Sequence, residues 1–317
     1  MTEFRCFRNY DPPRLAEAWR EANLGPRGMQ PMTAAFLESA VFSKPYFERE
    51  GLIVAIDRGR LVGFAHAAFG PQADRRTIDT AVGTTMLVVV VPHPDAKAIG
   101  DGLLALSEAY LRGRGAQTLL GGGDATMRGF YFGLYGGADL PGILDSSPAM
   151  QDVFVRAGYQ PAGRIAVLRR SLSGFRPAVN RHHLSIRRLT TLHVTDEPPR
   201  RHWWEAATTA GVALRRYELM CHGNEVLGRL TTWDLMPLSA AWGVPAAGLI
   251  DFEVQPKRRK EGLGSYLLAE TLHDLADEGV SVAETQVAED NVAGLRLCEK
   301  LGFKTVDRGT VFRRPSA

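Results

Sequence analysis

The stretch VQPKRRKEGLGSYLLAE, residues 254–270, joins the end of an apolar strand to an amphipathic helix through a basic turn. Pro256 ends the strand, because proline cannot donate to a sheet ladder. Four cations occupy residues 257–260, and Gly262 and Gly264 follow. The first turn of a helix has free N–H groups and partial positive charge, and glycines let a large anion approach them. The stretch therefore predicts an anion site; the alternative is a solvated basic turn.

Two well-known phosphate loops do not match this stretch. The Walker pattern GxxxxGK[ST] requires a lysine directly after its last glycine, and Ser265 follows Gly264 here. The dinucleotide pattern GxGxxG requires a third glycine where Leu267 stands. An anion-binding loop at this position would therefore be of a different kind.

A weaker copy of the stretch, PDAKAIGDGLLALSE, occurs at residues 94–108. The series Lys97, Gly100 and Gly102 has the spacing of Arg259, Gly262 and Gly264, and RAGY (156–159) corresponds to KLGF (300–303). A repeat longer than a hundred residues is a duplicated domain rather than a solenoid period. We therefore expect an N-terminal half, residues 1–174, and a C-terminal half, residues 175–317, with a linker in residues 171–180. The N-terminal half also carries an insertion, residues 121–146.

The secondary-structure pattern alternates strands and helices in both halves. LIVAID and LVGFAHAA read as a hairpin turning at Arg58-Gly59, and TTMLVVVV (84–91) as an interior strand. In the second half, HHLSIRRL (182–189) reads as a first strand, and a later hairpin turns at Gly223-Asn224. This order predicts an α/β (α+β) architecture in each half.

Composition excludes several classes of protein. The 317 residues are 45% hydrophobic and 23% charged, with a formal net charge of +3, as in an ordinary globular protein of about two domains. Three cysteines without CxxC spacing argue against disulfides and thiolate metal sites, so we expect a cytoplasmic protein without a metal. No signal-peptide core or membrane-length apolar run is present, so no membrane partner is expected.

The residues that follow the basic turn carry a family resemblance. The strand end reads Val254-x-Pro256, and the loop reads Arg259-x-x-Gly262-x-Gly264. A third segment begins at Asn291 and ends at Gly302-Phe303, with Leu297-Cys298 between them. These segments resemble the signature of the GCN5-related N-acetyltransferase (GNAT) family. The C-terminal half resembles one such domain, and the whole chain resembles a tandem of two, with a degenerate N-terminal half.

The resemblance implies a fold and a cofactor. Each half should contain a mixed, centrally splayed β-sheet flanked by helices, and acetyl-CoA should lie where two parallel strands part. The backbone of Phe252 and Val254 would pair with the pantetheine arm. The diphosphate would rest on the loop residues Arg259, Lys260, Gly262, Leu263, Gly264 and Ser265. Asn291 would add a cofactor contact, and the alternative is a simple helix N-cap.

In the N-terminal half, the corresponding second cofactor site would use Lys97, Gly100 and Gly102. Asp95 and Asp101 oppose the binding of an anion there. A weakened or supporting domain is the alternative.

The implied reaction is direct transfer of an acetyl group to the amine of a small molecule or peptide. Glu253, or Asp251, would be the base, and the alternative is a carboxylate that pairs with the basic turn. Cys298 stands where the family has a tyrosine that acts as the acid. It would donate a proton weakly or simply pack as an apolar residue, and Tyr266 is another candidate donor.

Two other interpretations remain open. A non-catalytic acyl-CoA-binding or regulatory module would suit the missing tyrosine and the degenerate first half. Nucleic-acid binding is disfavoured, because KRRK lies at one turn without a basic helix or interleaved aromatics. The aromatic run from Phe130 to Tyr135 would line an acceptor pocket or provide local packing, as would the pair Trp203-Trp204. A monomer of two fused domains is favoured.

Overall fold

The first half of the chain forms the hairpin that its sequence predicts, within a longer series of strands and helices. The computed structural model describes residues 2–177, 181–221 and 225–315. Arg58 and Gly59 have φ of 49° and 79°, as a two-residue hairpin turn requires. The elements are β1 (Glu3–Cys6), α1 (Pro12–Ala22), α2 (Ala34–Leu37), β2 (Leu52–Asp57), β3 (Arg60–Pro71), β4 (Ile78–Val90), α3 (Ala96–Gly113), β5 (Thr118–Gly121), β6 (Ile143–Leu144), α4 (Pro148–Arg156) and β7 (Gln160–Ser171).

The second half repeats most of this order, with one helix added before its first strand and another after its third, and without counterparts of α2 and β6. Its elements are α5 (Arg181–Leu189), β8 (Thr190–Asp196), α6 (Trp203–Thr208), β9 (Leu214–Cys221), β10 (Val226–Asp234), α7 (Met236–Trp242), β11 (Ala246–Val254), α8 (Leu263–Asp277), β12 (Val282–Ala288), α9 (Val292–Lys300) and β13 (Lys304–Arg313). A 3₁₀ turn, Pro256–Arg258, separates β11 from α8.

The predicted strand at residues 182–189 is wrong, because this segment is helix α5. Ile186 is its buried residue, and the Thr190 hydroxyl donates to the Ile186 carbonyl. The β-branched pair Thr190-Thr191 begins the strand instead. The second predicted hairpin turn, Gly223-Asn224, lies outside the described residues.

The two halves exchange their last strands within one mixed sheet of thirteen strands. The order is β1-β2-β3-β4-β5-β13-β7-β12-β11-β10-β9-β8, and β6 pairs with β13. Thus β13, from the C-terminal half, pairs with β5, while β7, from the N-terminal half, pairs with β12. The strands β7 and β13 pair with each other from Lys304↔Arg169 to Arg313↔Gln160. Each half therefore completes the sheet of the other. The boundary between residues 174 and 175 stays a prediction about the sequence.

A central parallel pair of strands parts in each half, as the splayed-sheet expectation requires. In the C-terminal half, β11 and β12 pair from Ala246↔Val282 to Leu249↔Thr285 and no further. In the N-terminal half, β4 and β5 pair from Val82↔Thr118 to Thr85↔Gly121. Beyond these pairs the remaining residues of β11 and β4 keep a neighbour on one side only, β10 and β3. Each half thus presents a cleft between two strands.

The inserted segment, residues 121–146, fills the seam between the halves. Its aromatic run is buried: Phe132 stacks on Trp233 of β10, with ring centroids 4.4 Å apart. A fully buried carboxylate, Glu284 of β12, pairs with Arg27 at 2.9 Å and with Arg169 of β7 at 3.1 Å. These contacts favour the packing interpretation of the aromatic run.

The strand exchange predicts that the halves do not fold apart. A chain cut between residues 174 and 175 leaves β5 without β13 and β12 without β7, so each fragment has an open sheet edge. Each fragment alone should be unfolded or aggregated by circular dichroism and gel filtration, and the co-expressed pair should assemble and melt in one transition. A cooperative melt of isolated residues 2–174 would contradict this expectation.

Candidate functional site

The basic loop after β11 presents a row of free backbone N–H groups. The 3₁₀ turn Pro256–Arg258 is followed by Lys260 and Gly262, both with positive φ (66° and 74°), and α8 then begins at Leu263. This path gives no acceptor, within the described part of the chain, to the amides of residues 260–265. Tyr266 is the next residue whose amide is bonded, to the Gly262 carbonyl at 3.0 Å. Free amides at a helix start, with helix-dipole charge behind them, form an anion site.

Two further features of the loop favour a bound anion. The Ser265 hydroxyl oxygen is buried and has no hydrogen-bond partner among the described residues. A buried polar group left without a partner costs about 1–3 kcal/mol, so a ligand oxygen there would be stabilising. Arg258 pairs with Glu261 at 2.9 Å, whereas Lys257, Arg259 and Lys260 have no ion pair in the described chain and lie exposed around the loop.

Helix α5 supports this loop from one side, which sequence reasoning missed. Nε2 of His182 lies 3.0 Å from the carbonyl oxygen of Glu261. A Cβ atom added at Gly262 would lie 2.3 Å from the same nitrogen and would displace the His182 ring, and the φ of 74° itself favours glycine. The i, i+4 spacing of His182, Ile186 and Thr190 is the signal that could have indicated a helix.

The edge of β11 that faces the cleft turns backbone groups toward it, and one of them, the Val254 carbonyl, accepts from Arg259 Nε at 3.2 Å. The Gln255 amide donates to the Leu227 carbonyl at 2.9 Å, and Glu253 is in register with Arg229. In an antiparallel ladder alternate residues bond the neighbouring strand, so Phe252 and Val254 turn their N–H and C=O groups toward the cleft. Pantetheine binding requires this orientation of Phe252 and Val254, and the binding itself stays a prediction.

A β-bulge places Asp251 against arginines from elsewhere in the fold. Between the pairs Arg229↔Glu253 and Thr231↔Ile250, β11 has one extra residue, and Asp251 has φ of 52°. Its carboxylate bonds Arg128 of the insertion at 3.1 Å and Arg201 at 2.6 Å. Burial opposes its ionisation, but the two guanidinium groups outweigh that effect and hold the Asp251 pKa below its usual value.

Glu253 is the more accessible of the two candidate bases. Its side chain is 58% exposed and pairs with Arg229 of β10 at 3.0 Å. The alternative, a carboxylate paired with the basic turn, is found for neither residue in the described chain, because Asp251 pairs with Arg128 and Arg201 and Glu253 pairs with Arg229.

Cys298 lies inside the apolar core beneath the sheet. It is 4% exposed among the side chains of α8 and α9, and burial raises the pKa of its thiol to about 11. Tyr266, the alternative donor, packs against the ring of His183, and burial raises its pKa as well. These surroundings favour a packing role for Cys298.

Asn291 caps the helix that follows β12. Its side-chain oxygen accepts from the Gly294 amide at 3.0 Å at the start of α9. This observation confirms the N-cap. A cofactor contact by Asn291 stays a prediction.

The N-terminal copy of the loop is wound into a helix and differs in chemistry. Helix α3 already begins at Ala96, so Gly100 and Gly102 lie within it. A Cβ at Gly100 would meet Val153 of α4 at 2.9 Å, and one at Gly102 would meet Phe4 of β1 at 2.7 Å. The prediction that these glycines form a second loop for a CoA diphosphate is therefore not supported, because they serve close packing and their amides bond within the helix.

The described residues contain no helix long and apolar enough to span a membrane. In the same part of the chain, no group of three or more His, Cys, Asp or Glu side chains is placed to hold a metal ion.

Replacing Asp251 with asparagine should destabilise the fold. It removes one carboxylate from each arginine, while Arg128 keeps Asp139 and Arg201 keeps Glu205, so it costs about 2 kcal/mol in the free energy of unfolding at pH 7. Because the folded pKa lies below the ordinary 3.8, this contribution is present above that value and is lost as pH falls through the folded pKa. Wild type and variant should therefore converge below about pH 4 in urea unfolding curves.

Glu253→Gln on the same strand is the matched control for this measurement. Its exposed ion pair should contribute under about 1 kcal/mol. Equal effects of the two substitutions would contradict the proposed importance of the Asp251 contacts.

Residues 182–303 match the family model described as the acetyltransferase (GNAT) family. No curated protein matches the chain by sequence. Among solved structures, a tandem GNAT protein from the clavulanic acid biosynthesis pathway aligns with 100% of this chain and 99% of its own, at 17% identity and a TM-score of 0.67. A GCN5-related N-acetyltransferase from Sphaerobacter thermophilus aligns over 100% and 97%, at 15% identity and a TM-score of 0.63.

A third solved structure is a GCN5-related glucosamine N-acetyltransferase region within a fungal multi-domain β-N-acetylglucosaminidase. It aligns with 99% of this chain at 16% identity and a TM-score of 0.71, and the chain spans 38% of its length. At these identities the likeness concerns the fold. Residues 182–303 therefore form a domain of the acetyltransferase (GNAT) family, and the chain as a whole has the fold of a tandem GNAT protein.

Proposed function

We propose that the chain is an acetyl-CoA-dependent N-acetyltransferase that acts on the amine of a small molecule or peptide. The observation that carries the proposal is the parting of β11 and β12 after Leu249 and Thr285, beside six consecutive amides that have no acceptor among the described residues. An unpaired strand edge is costly unless something pairs with it. A ligand with amide groups at one end and a diphosphate at the other satisfies both features.

The chain's own groups fit acetyl-CoA in this cleft. Phe252 and Val254 would bond the pantetheine amides, and the amides of residues 260–265 would receive the diphosphate. The Ser265 hydroxyl would gain a partner, and Arg259 and Lys260 would add charge. Asn291, at the next helix start, would contact the cofactor while it caps α9.

The reaction requires a neutral amine and a polarised thioester carbonyl. We propose Glu253, directly or through water, as the base, because its carboxylate is exposed and has one ion-pair partner. Asp251 is a poor base, since two arginines hold its pKa low. Backbone N–H groups of the bulged strand would stabilise the developing oxyanion. No general acid is needed, because the thioester's leaving group departs as a thiolate. The buried Cys298 thiol would in any case be a poor proton donor.

The cysteines and the strand exchange bear on the localisation and the oligomeric state of the protein. The three cysteines are free, which fits a reducing compartment, so we place the protein in the cytoplasm. The strand exchange already joins two GNAT-like sheets in one chain, which supports a monomer. The N-terminal half would support the C-terminal site by supplying Arg128 and the strand β7.

A non-catalytic acyl-CoA-binding module is the second candidate. The observations that favour it are the packing of Cys298 in the core and the neutralisation of Asp251 by Arg128 and Arg201. Such a protein would bind acetyl-CoA without releasing thiol in the presence of amines.

Arg259→Glu should weaken acetyl-CoA binding at least tenfold. It replaces attraction with repulsion at the loop, where each hydrogen bond to a charged oxygen contributes about 1.5–3 kcal/mol. Isothermal titration calorimetry measures this, with the exposed Lys304→Glu on β13 as the control for charge reversal. Unchanged affinity in Arg259→Glu, or absence of wild-type binding, would overturn the proposed cofactor. Thiol release over an amine panel then separates enzyme from binding module.

Cys298→Ala should leave kcat within about threefold for any amine that the panel identifies, because a core thiol packs rather than donates. A true general acid contributes about a hundredfold or more. A hundredfold loss of kcat, in a variant whose circular dichroism and melting temperature remain near wild type, would instead indicate that Cys298 donates the proton to the leaving thiolate.

A further inference from the structure

The N-terminal half contains a cleft of about 390 Å³ at its own parted strands. The end of α1, strand β4, the start of α3 and helix α4 surround it. Its inner surface is largely apolar, and Val88, Val89, Val90, Pro148, Met150 and Val153 contribute to it. This volume lies at the lower end of the range of small-molecule pockets. The cleft is separate from the C-terminal site.

The strand that lines this cleft offers backbone hydrogen bonds to a ligand. The Val91 amide donates to the Val62 carbonyl at 3.0 Å, and Val89 is in register with Phe64. By the alternation of an antiparallel ladder, Val88 and Val90 turn their N–H and C=O groups away from β3, toward the cleft. The described β5 residues pair no further than Thr85↔Gly121, so these groups have no strand partner. An extended ligand with amides can satisfy them.

The outer end of the cleft does not suit the adenosine diphosphate part of CoA. Helix α3 begins four residues after Pro92, and the described chain leaves only the amides of Lys97 and Ala98 free at its start. Asp95 and Asp101 lie nearby, and Arg156 forms an ion pair with Asp101 at 2.7 Å. Lys97 is the one lining cation without an ion pair in the described residues. One added cation and two amides match a single phosphate at most.

The inner end of the cleft carries a buried polar group. Ser147 begins α4 at the position that Asn291 has before α9, and it is 8% exposed. The Tyr135 hydroxyl donates to the Ser147 hydroxyl oxygen at 3.1 Å, so the Ser147 hydrogen remains available to an acceptor on a ligand. A carbonyl oxygen at the inner end of an extended ligand would accept a hydrogen bond from the Ser147 hydroxyl.

From these contacts we infer that the N-terminal cleft binds a pantetheine-type chain, neutral or with one terminal phosphate, and discriminates against the complete CoA. The ligand pairs with Val88 and Val90, its apolar part lies on Pro148 and Val153, and Lys97 contacts its outer end. This inference does not depend on the activity proposed for the C-terminal half.

Calorimetry on the full chain with pantetheine, 4′-phosphopantetheine and CoA tests the inference. The titrations use the variant Leu297→Trp, in which the C-terminal cleft should be blocked. Leu297 occupies in α9 the position that Val153 occupies in α4, and it lies 3.5 Å from a Cβ added at Gly264. The tryptophan should fill the C-terminal cleft and leave the N-terminal one available. We expect one pantetheine per chain in this variant, with 4′-phosphopantetheine bound more tightly and CoA no tighter than 4′-phosphopantetheine.

Two substitutions in that background locate the site. Val153→Trp fills the N-terminal cleft and should abolish binding. Val90 is the last residue of β4, and Val90→Pro removes its N–H, which faces the cleft and does not bond β3. This substitution should weaken pantetheine binding at least tenfold. Val90→Ala is its control and should bind within about threefold of Val90, since the backbone donor remains.

Three results would overturn the inference: no pantetheine binding in Leu297→Trp, equal binding in Val90→Pro and Val90→Ala, or CoA bound tenfold more tightly than 4′-phosphopantetheine. Melting curves establish that each variant is folded. Failure of CoA to bind the wild-type chain would count against the C-terminal site and not against this one, because pantetheine binding is read separately.

Discussion

The antiparallel pairing of β7 with β13 is the contact on which the rest of the structure depends. Each of these strands ends one half of the chain, and each is inserted beside the sheet of the other half, next to β12 and β5. Without this exchange both clefts would lose the strand that supports their outer wall. Stability and site geometry are therefore shared by the two halves, and the buried Glu284 with Arg27 and Arg169 reinforces the same seam.

The two clefts show how one duplicated pattern can give different chemistry. In both halves a parallel pair parts after four residue pairs and leaves a strand edge free. The difference lies in where the next helix begins. A start at Leu263 leaves the six amides of residues 260–265 without an acceptor in the described chain, whereas a start at Ala96 leaves only those of Lys97 and Ala98 free there. The position of a helix start thus determines how many backbone amides each cleft presents.

The chemistry at the C-terminal cleft is shaped by residues far away in sequence. Arg128 from the insertion and Arg201 neutralise Asp251, whereas Glu253 lies exposed beside Arg229. The insertion was recognisable as extra sequence, but its ion pair with Asp251 spans 123 residues and depends on the fold. No local pattern in either segment indicates that pairing.

The sequence by itself determined the features that depend on local periodicity and backbone constraints. The proline-ended strand, the Gly262 turn, the Arg58-Gly59 hairpin, the Asn291 cap and the duplication all follow from such rules, and the structure contains each of them. Only the tertiary structure decided that α5 contacts the loop, that Gly100 and Gly102 pack against Val153 and Phe4, and that the last strands exchange. The reason is physical: these outcomes depend on which distant surfaces become buried together, and short-range sequence patterns carry little information about that choice.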